Sequence, residues 1–132
     1  SEALHAYFNV SSVDNVVIKG LAGHCYKNSL DGELYKLAGD LKIKGEFDSA
    51  FVNHTGGVEI ADPVFNRVIS VEKSGSNTTV VWNPAKDLKE MSEGQYKKFV
   101  CVEPSNQGAS FVHLNPGEKH QISMKIQVNK LK

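Results

Sequence analysis

Arginine is almost missing from this 132-residue chain, with Arg67 the only one, while lysine and arginine together number 15 and are balanced by 15 acidic residues. With no net charge there is no basic field for nucleic acid or for an anionic membrane surface, and neither partner is expected. Cysteine is scarce too. Cys25 and Cys101 stand far apart with no CxxC spacing, so neither a disulfide framework nor a zinc site is supported, and reduced thiols fit a cytoplasmic setting. No stretch approaches the roughly 18 uninterrupted apolar residues of a membrane span. The opening residues, Ser1 to Phe8, have neither a basic start nor a long apolar core, so they do not read as a signal peptide. Three Asn-x-Ser/Thr triplets, at Asn9, Asn53 and Asn77, match the glycosylation pattern, which matters only in a secreted chain. A sustained helical period is missing as well, apart from Ala85 to Met91, whose composition predicts a short helix of two turns on a connection.

What fills the chain is period-two alternation between turn signals. Leu4, Ala6, Phe8 and Val10 alternate with His5, Tyr7 and Asn9, so the apolar set packs and the polar set faces a groove or water. Asn15 to Lys19, Leu41 to Phe47 and Val58 to Ala61 are further strand-like runs, punctuated by Gly20 to Gly23, by Leu30-Asp-Gly32 and by Gly56-Gly57. Arg67 to Lys73 and Thr78 to Trp82 flank Ser74 to Asn77, which predicts a hairpin with a four-residue loop. Phe111 to Leu114, a turn at Pro116-Gly117 and the alternating run from Ile122 to Val128 predict a last hairpin. The fold class is all-β, an antiparallel β-sandwich, and the length allows one core and hence one domain over residues 1–132.

The most informative stretch runs from Thr78 to Pro104, where two β-branched runs each end at a proline. Alternation puts Phe99, Cys101 and Glu103 on one strand face and Val100 and Val102 on the other. A carboxylate thus follows two apolar side chains on one face. It either sits at the rim, relieved by water, or is partly buried with a raised pKa, which is how a general base is tuned toward neutral pH.

Four motifs in order, Leu4-His-Ala-Tyr-Phe8, Val80-Val-Trp-Asn-Pro84, Tyr96 to Glu103 and Leu114-Asn-Pro-Gly-Glu118, make the chain resemble the hexose-6-phosphate mutarotases. These are the glucose-6-phosphate 1-epimerase branch of the galactose-mutarotase-like superfamily. The resemblance covers nearly all 132 residues, yet members are about twice this length, and the chain looks like the C-terminal half of one. It implies part of a large twisted β-sandwich that binds sugar on a concave face. It also implies that His5 and Glu103 are catalytic, although Ala6 stands where threonine is usual. Asp48, in Phe47-Asp-Ser-Ala-Phe51, inherits a sugar-binding role, with Ser49 in place of the family's arginine. Trp82 is a core or groove-wall aromatic on which a sugar can stack, and Ala85 replaces a tryptophan common after Trp-Asn-Pro.

The residue types suit the implied reaction. Exchanging hexose anomers requires removal of the C1 hydroxyl proton and delivery of a proton to the ring oxygen; the open aldehyde rotates and recloses. One base and one acid suffice, each contributing typically about 10²- to 10⁴-fold, with no metal, nucleotide or other cofactor required. Asp48 would orient the sugar through its hydroxyls. The rival readings are a carbohydrate-binding β-sandwich without turnover and a purely structural sandwich. His24, His54, His113 and His120 lack motif support and are expected to be structural or exposed. The resemblance places the phosphate-binding arginines largely in an N-terminal half, so a sugar phosphate is the expected small-molecule partner and that half the expected protein partner. The chain alone is expected to bind weakly and to self-pair or aggregate.

Overall fold

The computed structural model describes residues 2–106 and 121–131. Its strands are β1 (Glu2–Ala3), β2 (Tyr7–Asn9), β3 (Val17–Lys19), β4 (Cys25–Asn28), β5 (Leu34–Lys36), β6 (Phe47–Val52), β7 (Val58–Asp62), β8 (Arg67–Ser74), β9 (Thr78–Asn83), β10 (Phe99–Asn106) and β11 (Ser123–Lys130). They form two antiparallel sheets. The larger runs β1-β10-β9-β6-β4-β5 with β2 also on β10, and the smaller runs β11-β8-β7-β3. Among the described residues no helix is long and apolar enough to cross a membrane.

Period-two alternation aims one face of each sheet at the other. Phe8, Phe51, Val81, Val100 and Val102 from the larger sheet meet Ile18, Val58, Ile60, Ile69 and Val71 from the smaller, all buried in one cluster. Removing such side chains from water is worth about 1.5–3 kcal/mol each before the entropy of ordering them is counted. The all-β sandwich expected from the sequence is the observed architecture, and the opening alternation is observed as expected: Phe8 and Val10 are buried while His5, Tyr7 and Asn9 are exposed.

Four expectations are corrected. The hairpin over Arg67 to Trp82 is not one: β8 pairs with β7 and β11, whereas β9 pairs with β6 and β10 in the other sheet. Strand β9 already has a neighbour on each side, so β8 finds no edge there. The chain crosses between layers instead, held by Ser76 Oγ, which donates in turn to the carbonyls of Thr78 and Ser105, both 2.8 Å away. The helix over Ala85 to Met91 is absent. Ala85 adopts a left-handed φ of 59°, which no right-handed helix can continue, and a single 3₁₀ turn forms later, at Gln95–Lys98. Leu41 to Phe47 is not a continuous strand: Leu41 makes an isolated bridge to Ile18, Gly45 turns the chain at φ 70°, and β6 begins at Phe47, so Asp48 lies inside a strand. Finally, β10 does not stop at Pro104 but runs on to Asn106.

The run Phe111 to Leu114 and the Pro116-Gly117 turn lie outside the described residues. Strand β11 pairs along its length with β8. Ile126 and Val128 stand opposite the buried Val71 and Ile69, on the inward side of the sheet, yet are 48% and 55% exposed.

Candidate active site

Strands β1 and β2 keep one register on β10, since Ala3 faces Ser105 and Tyr7 faces Cys101, and the intervening residues stay in step. The Leu4 amide donates to the Pro104 carbonyl at 2.9 Å and the Val102 amide to the Ala6 carbonyl at 3.3 Å. His5 is therefore directly opposite Glu103. Proline explains why the ladder is thin at this point: Pro104 has no amide to return to Leu4, and its nitrogen faces the side where assigned strand is interrupted between β1 and β2. The sheet is intact on the β9 side, where Glu103 faces Val80.

Cross-strand partners share a face, so the register of β2, β10, β9 and β6 lines up Tyr7, Cys101, Trp82 and Asp48 across the sheet. His5 and Glu103 lie on that same face, one step along it. His5 Nε2 is 3.6 Å from Glu103 Oε2, with the imidazole half exposed and the carboxylate side chain 12% exposed. The rim and partial-burial alternatives for Glu103 resolve to partial burial. Burial pushes its pKa up, the His5 charge pulls it back, and the Asp48 carboxylate raises it again. Asp48 is itself raised by burial and by Glu46. Beneath them the Cys101 thiol is pushed up to about 12 by burial and by Glu103, so it stays protonated and is not a nucleophile at neutral pH.

The structure thus brings His5, Glu103, Asp48 and Trp82 onto one face. Sequence reasoning missed Tyr7, whose ring packs 4.7 Å from His5, 6.3 Å from Trp82 and 5.2 Å from Phe99 between centroids. The signal was present in the alternation, because Tyr7 shares the parity of His5. Burial raises the Tyr7 pKa, with Cys101 and Glu103 adding to it. Also missed was a cavity of about 370 Å³ beside Tyr7, lined by Tyr7, Asn9, Met91, Gln95, Lys98 and Phe99. Its far wall comes from the segment between β9 and β10, fixed by two side chains. Asn83 donates to the carbonyls of Tyr96 and Phe99 at 2.8 and 2.9 Å, and the Asp87 carboxylate accepts from the amides of Gly94 and Tyr96 at 2.7 and 3.1 Å.

Among the described residues no group of three or more histidine, cysteine, aspartate or glutamate side chains is disposed to hold a metal ion. The arrangement offers proton transfer: an imidazole and a carboxylate of raised pKa, close together on an open face with aromatic walls.

The family model described as aldose 1-epimerase matches residues 1–127. A "Putative glucose-6-phosphate 1-epimerase" from Haemophilus influenzae is 32% identical over 102 residues, covering 76% of this chain and 37% of the relative. A protein of the same name from Cenchrus ciliaris is 31% identical over 123 residues, covering 89% of this chain and 37% of the relative. The crystal structure of a "putative mutarotase" from Salmonella typhimurium superposes with a TM-score of 0.83 at 28% identity, covering 97% of this chain and 45% of that one. The chain therefore spans 37% of the two curated relatives and 45% of the solved structure.

Proposed function

The chain belongs to the aldose 1-epimerase family, and from that premise we propose that it carries the acid and base of a mutarotase acting on hexose 6-phosphates, with glucose 6-phosphate the leading substrate. The observation that carries this reading is the cross-strand pair, His5 Nε2 and Glu103 Oε2, 3.6 Å apart on an open face.

The hydroxyl oxygen and the ring oxygen of a cyclic hexose are bonded to the same carbon, C1. Two protein groups this close can reach both at once. Glu103 takes the proton from the C1 hydroxyl as His5, in its imidazolium form, gives one to the ring oxygen, and the C1 to ring-oxygen bond breaks. Rotation about C1–C2 turns the other face of the aldehyde to the C5 hydroxyl. On closure His5 recovers a proton from that hydroxyl and Glu103 returns its proton to the carbonyl oxygen, so no proton is consumed. Asp48, across β9 from Cys101, accepts from sugar hydroxyls, and Trp82 supplies an apolar platform. The test is α/β exchange of glucose 6-phosphate followed by NMR with and without the protein. Saturable sugar binding without faster exchange would favour the non-catalytic binding module.

The same reading assigns the rest of the groove to a companion segment of the same protein. Its support is the 37% coverage of the relatives and the exposed Ile126 and Val128 on the inward side of β11. The mass of the chain in solution tests this: a stable monomer that turns over glucose 6-phosphate at an ordinary enzymatic rate would refute it.

A further inference from the structure

We propose that Tyr7 is a positioning residue for the proton transfer: its ring, held by Phe99 and Trp82, props the His5 imidazole in the orientation that keeps Nε2 beside Glu103. This rests on the mutarotase reading for the reaction it serves, while the support of one ring by the other stands independently of turnover.

An imidazole that delivers a proton has to aim one nitrogen at the acceptor, and its orientation is ordinarily fixed by a hydrogen bond through the other nitrogen. His5 has no such bond. Among the described residues no group donates to or accepts from its Nδ1, and its Nε2 lies 3.6 Å from Glu103 Oε2, beyond ordinary hydrogen-bond length. The ring is half exposed, so burial does not hold it either. A strand side chain left in this way can turn among the staggered χ1 wells and about χ2, and only some of those positions put Nε2 on the Glu103 side.

What remains is the aromatic contact. His5 and Tyr7 stand two residues apart on one face, where extended backbone spaces Cα atoms by roughly 6.6 Å. Their ring centroids are only 4.7 Å apart, tilted by 43°, so the rings lean on each other. Trp82 reaches the same imidazole more distantly, at 6.3 Å and 63°. Tyr7 can serve as a prop because it is itself fixed. Its backbone pairs with Cys101 in β10, and its ring meets the buried Phe99 at 5.2 Å and Trp82 edge-on at 6.3 Å. Phe99 and Trp82 also meet each other, at 5.9 Å, which closes a triangle of three rings. Support therefore runs from buried Phe99 through Tyr7 to His5. The phenol oxygen has no part in it, since among the described residues it makes no hydrogen bond. Orientation of this kind bears directly on rate, because a misplacement of about 1 Å can cost on the order of 10²-fold.

The experiment compares wild type with Tyr7→Leu, which removes the ring, and Tyr7→Phe, which keeps it without the hydroxyl. The His5 imidazole proton signals, assigned by their absence in His5→Asn, report the contact without any substrate. They are expected to shift in Tyr7→Leu, where the neighbouring ring current is lost, and to stay close to wild type in Tyr7→Phe. In α/β exchange of glucose 6-phosphate, kcat is expected to fall about tenfold in Tyr7→Leu with KM nearly unchanged, and to return to within about twofold of wild type in Tyr7→Phe. In wild type itself, nuclear Overhauser contacts between the His5 and Tyr7 ring protons are expected, and their absence overturns the proposal. So do His5 signals that stay put in a folded Tyr7→Leu, or a Tyr7→Phe variant that loses as much kcat as Tyr7→Leu, which would make the hydroxyl the group that matters. If wild type accelerates no exchange while the His5 signals follow the ring, the support of His5 by Tyr7 stands and the mutarotase reading falls.

Discussion

Two histidines in this sandwich have opposite surroundings. His5 is half exposed on the outward face of the larger sheet, and its neighbour Glu103 is left with its charge only partly compensated. His54 is 1% exposed and fully committed. Its Nε2 is 2.9 Å from the Gly20 carbonyl, which can only accept, so that nitrogen bears the proton and Nδ1 accepts from the Thr79 hydroxyl at 2.7 Å. The Thr79 oxygen in turn accepts from Lys73 Nζ at 2.7 Å, and Lys73 also donates to Ser76 Oγ and the Thr78 carbonyl at 3.0 Å. Gly20 closes the cluster from a φ of 103°, and a Cβ there would come within 2.6 Å of the Gly57 carbonyl oxygen. The comparison separates a polar cluster whose donors and acceptors are matched within the fold from one that leaves capacity for a ligand. The first is rigid although burial holds Lys73 down to about 8 and His54 down to about 4; the other leaves a carboxylate of raised pKa on an open face.

The sharpest way to break the comparison is Glu103→Gln. Exchange is expected to fall about 10²-fold or more, since the basicity goes while the shape stays. The folded pKa of Glu103 is raised, so its ionised form disfavours folding above the ordinary glutamate range near 4.5. The neutral amide should therefore leave the thermal midpoint at neutral pH unchanged or higher. A variant that exchanges anomers normally, or that unfolds, removes Glu103 from the role.

His5→Asn comes next, with turnover expected to drop by roughly ten- to a hundredfold and stability to move by under about 0.5 kcal/mol, as for most exposed substitutions. Loss of folding with normal activity per folded molecule would make His5 structural. His54→Leu should do the reverse. It takes away the acceptor of the Thr79 hydroxyl proton and the donor to the Gly20 carbonyl in a buried place, at about 2–3 kcal/mol, while exchange per folded molecule stays at the wild-type level. A urea titration set beside the exchange assay reads both.

The remaining effect is spread over pH, small per unit rather than in total. Burial pulls the His54 pKa down from 6.5 to about 4, so the unfolded chain binds a proton there that the folded chain does not. Stability from this source is complete above pH 6.5 and is lost as pH falls toward 4, at no more than about 1.4 kcal/mol per pH unit. Subtracting the His54→Leu profile from that of wild type isolates it. A flat difference would show that His54 titrates normally.

These two clusters also mark how far the sequence can be read. His5, Tyr7, Glu103 and the buried valines beside them follow from alternation, which is local and needs only a strand. The weight of Asp48 and Trp82 depended on resemblance, because their meeting across β6 and β9 is a matter of register between strands some thirty residues apart. The His54, Thr79 and Lys73 cluster was invisible: nothing in Asn53-His-Thr signals a hydroxyl 25 positions away. Turn chemistry misled over β8 and β9, since a loop of hairpin length serves equally well to change layers. The missing helix failed for a related reason. Asp87 bonds forward to Gly94 and Tyr96, and the segment becomes a clasp for the cavity wall.

The pairing of β10 with β1 and β2 has a kinetic consequence. His5 precedes β2 and Glu103 lies in β10, so their meeting requires a closure that spans most of the fold. Contacts of such long range form slowly, because the entropy of closing the loop is lost before the contacts repay it. At about 5–20 residues per second of synthesis, His5 would wait for several seconds on the ribosome before Glu103 is even made. Catalytic competence should thus appear as a late event in refolding, after the hairpin of β4 and β5 and the meander of β7 and β8 have formed from neighbouring sequence.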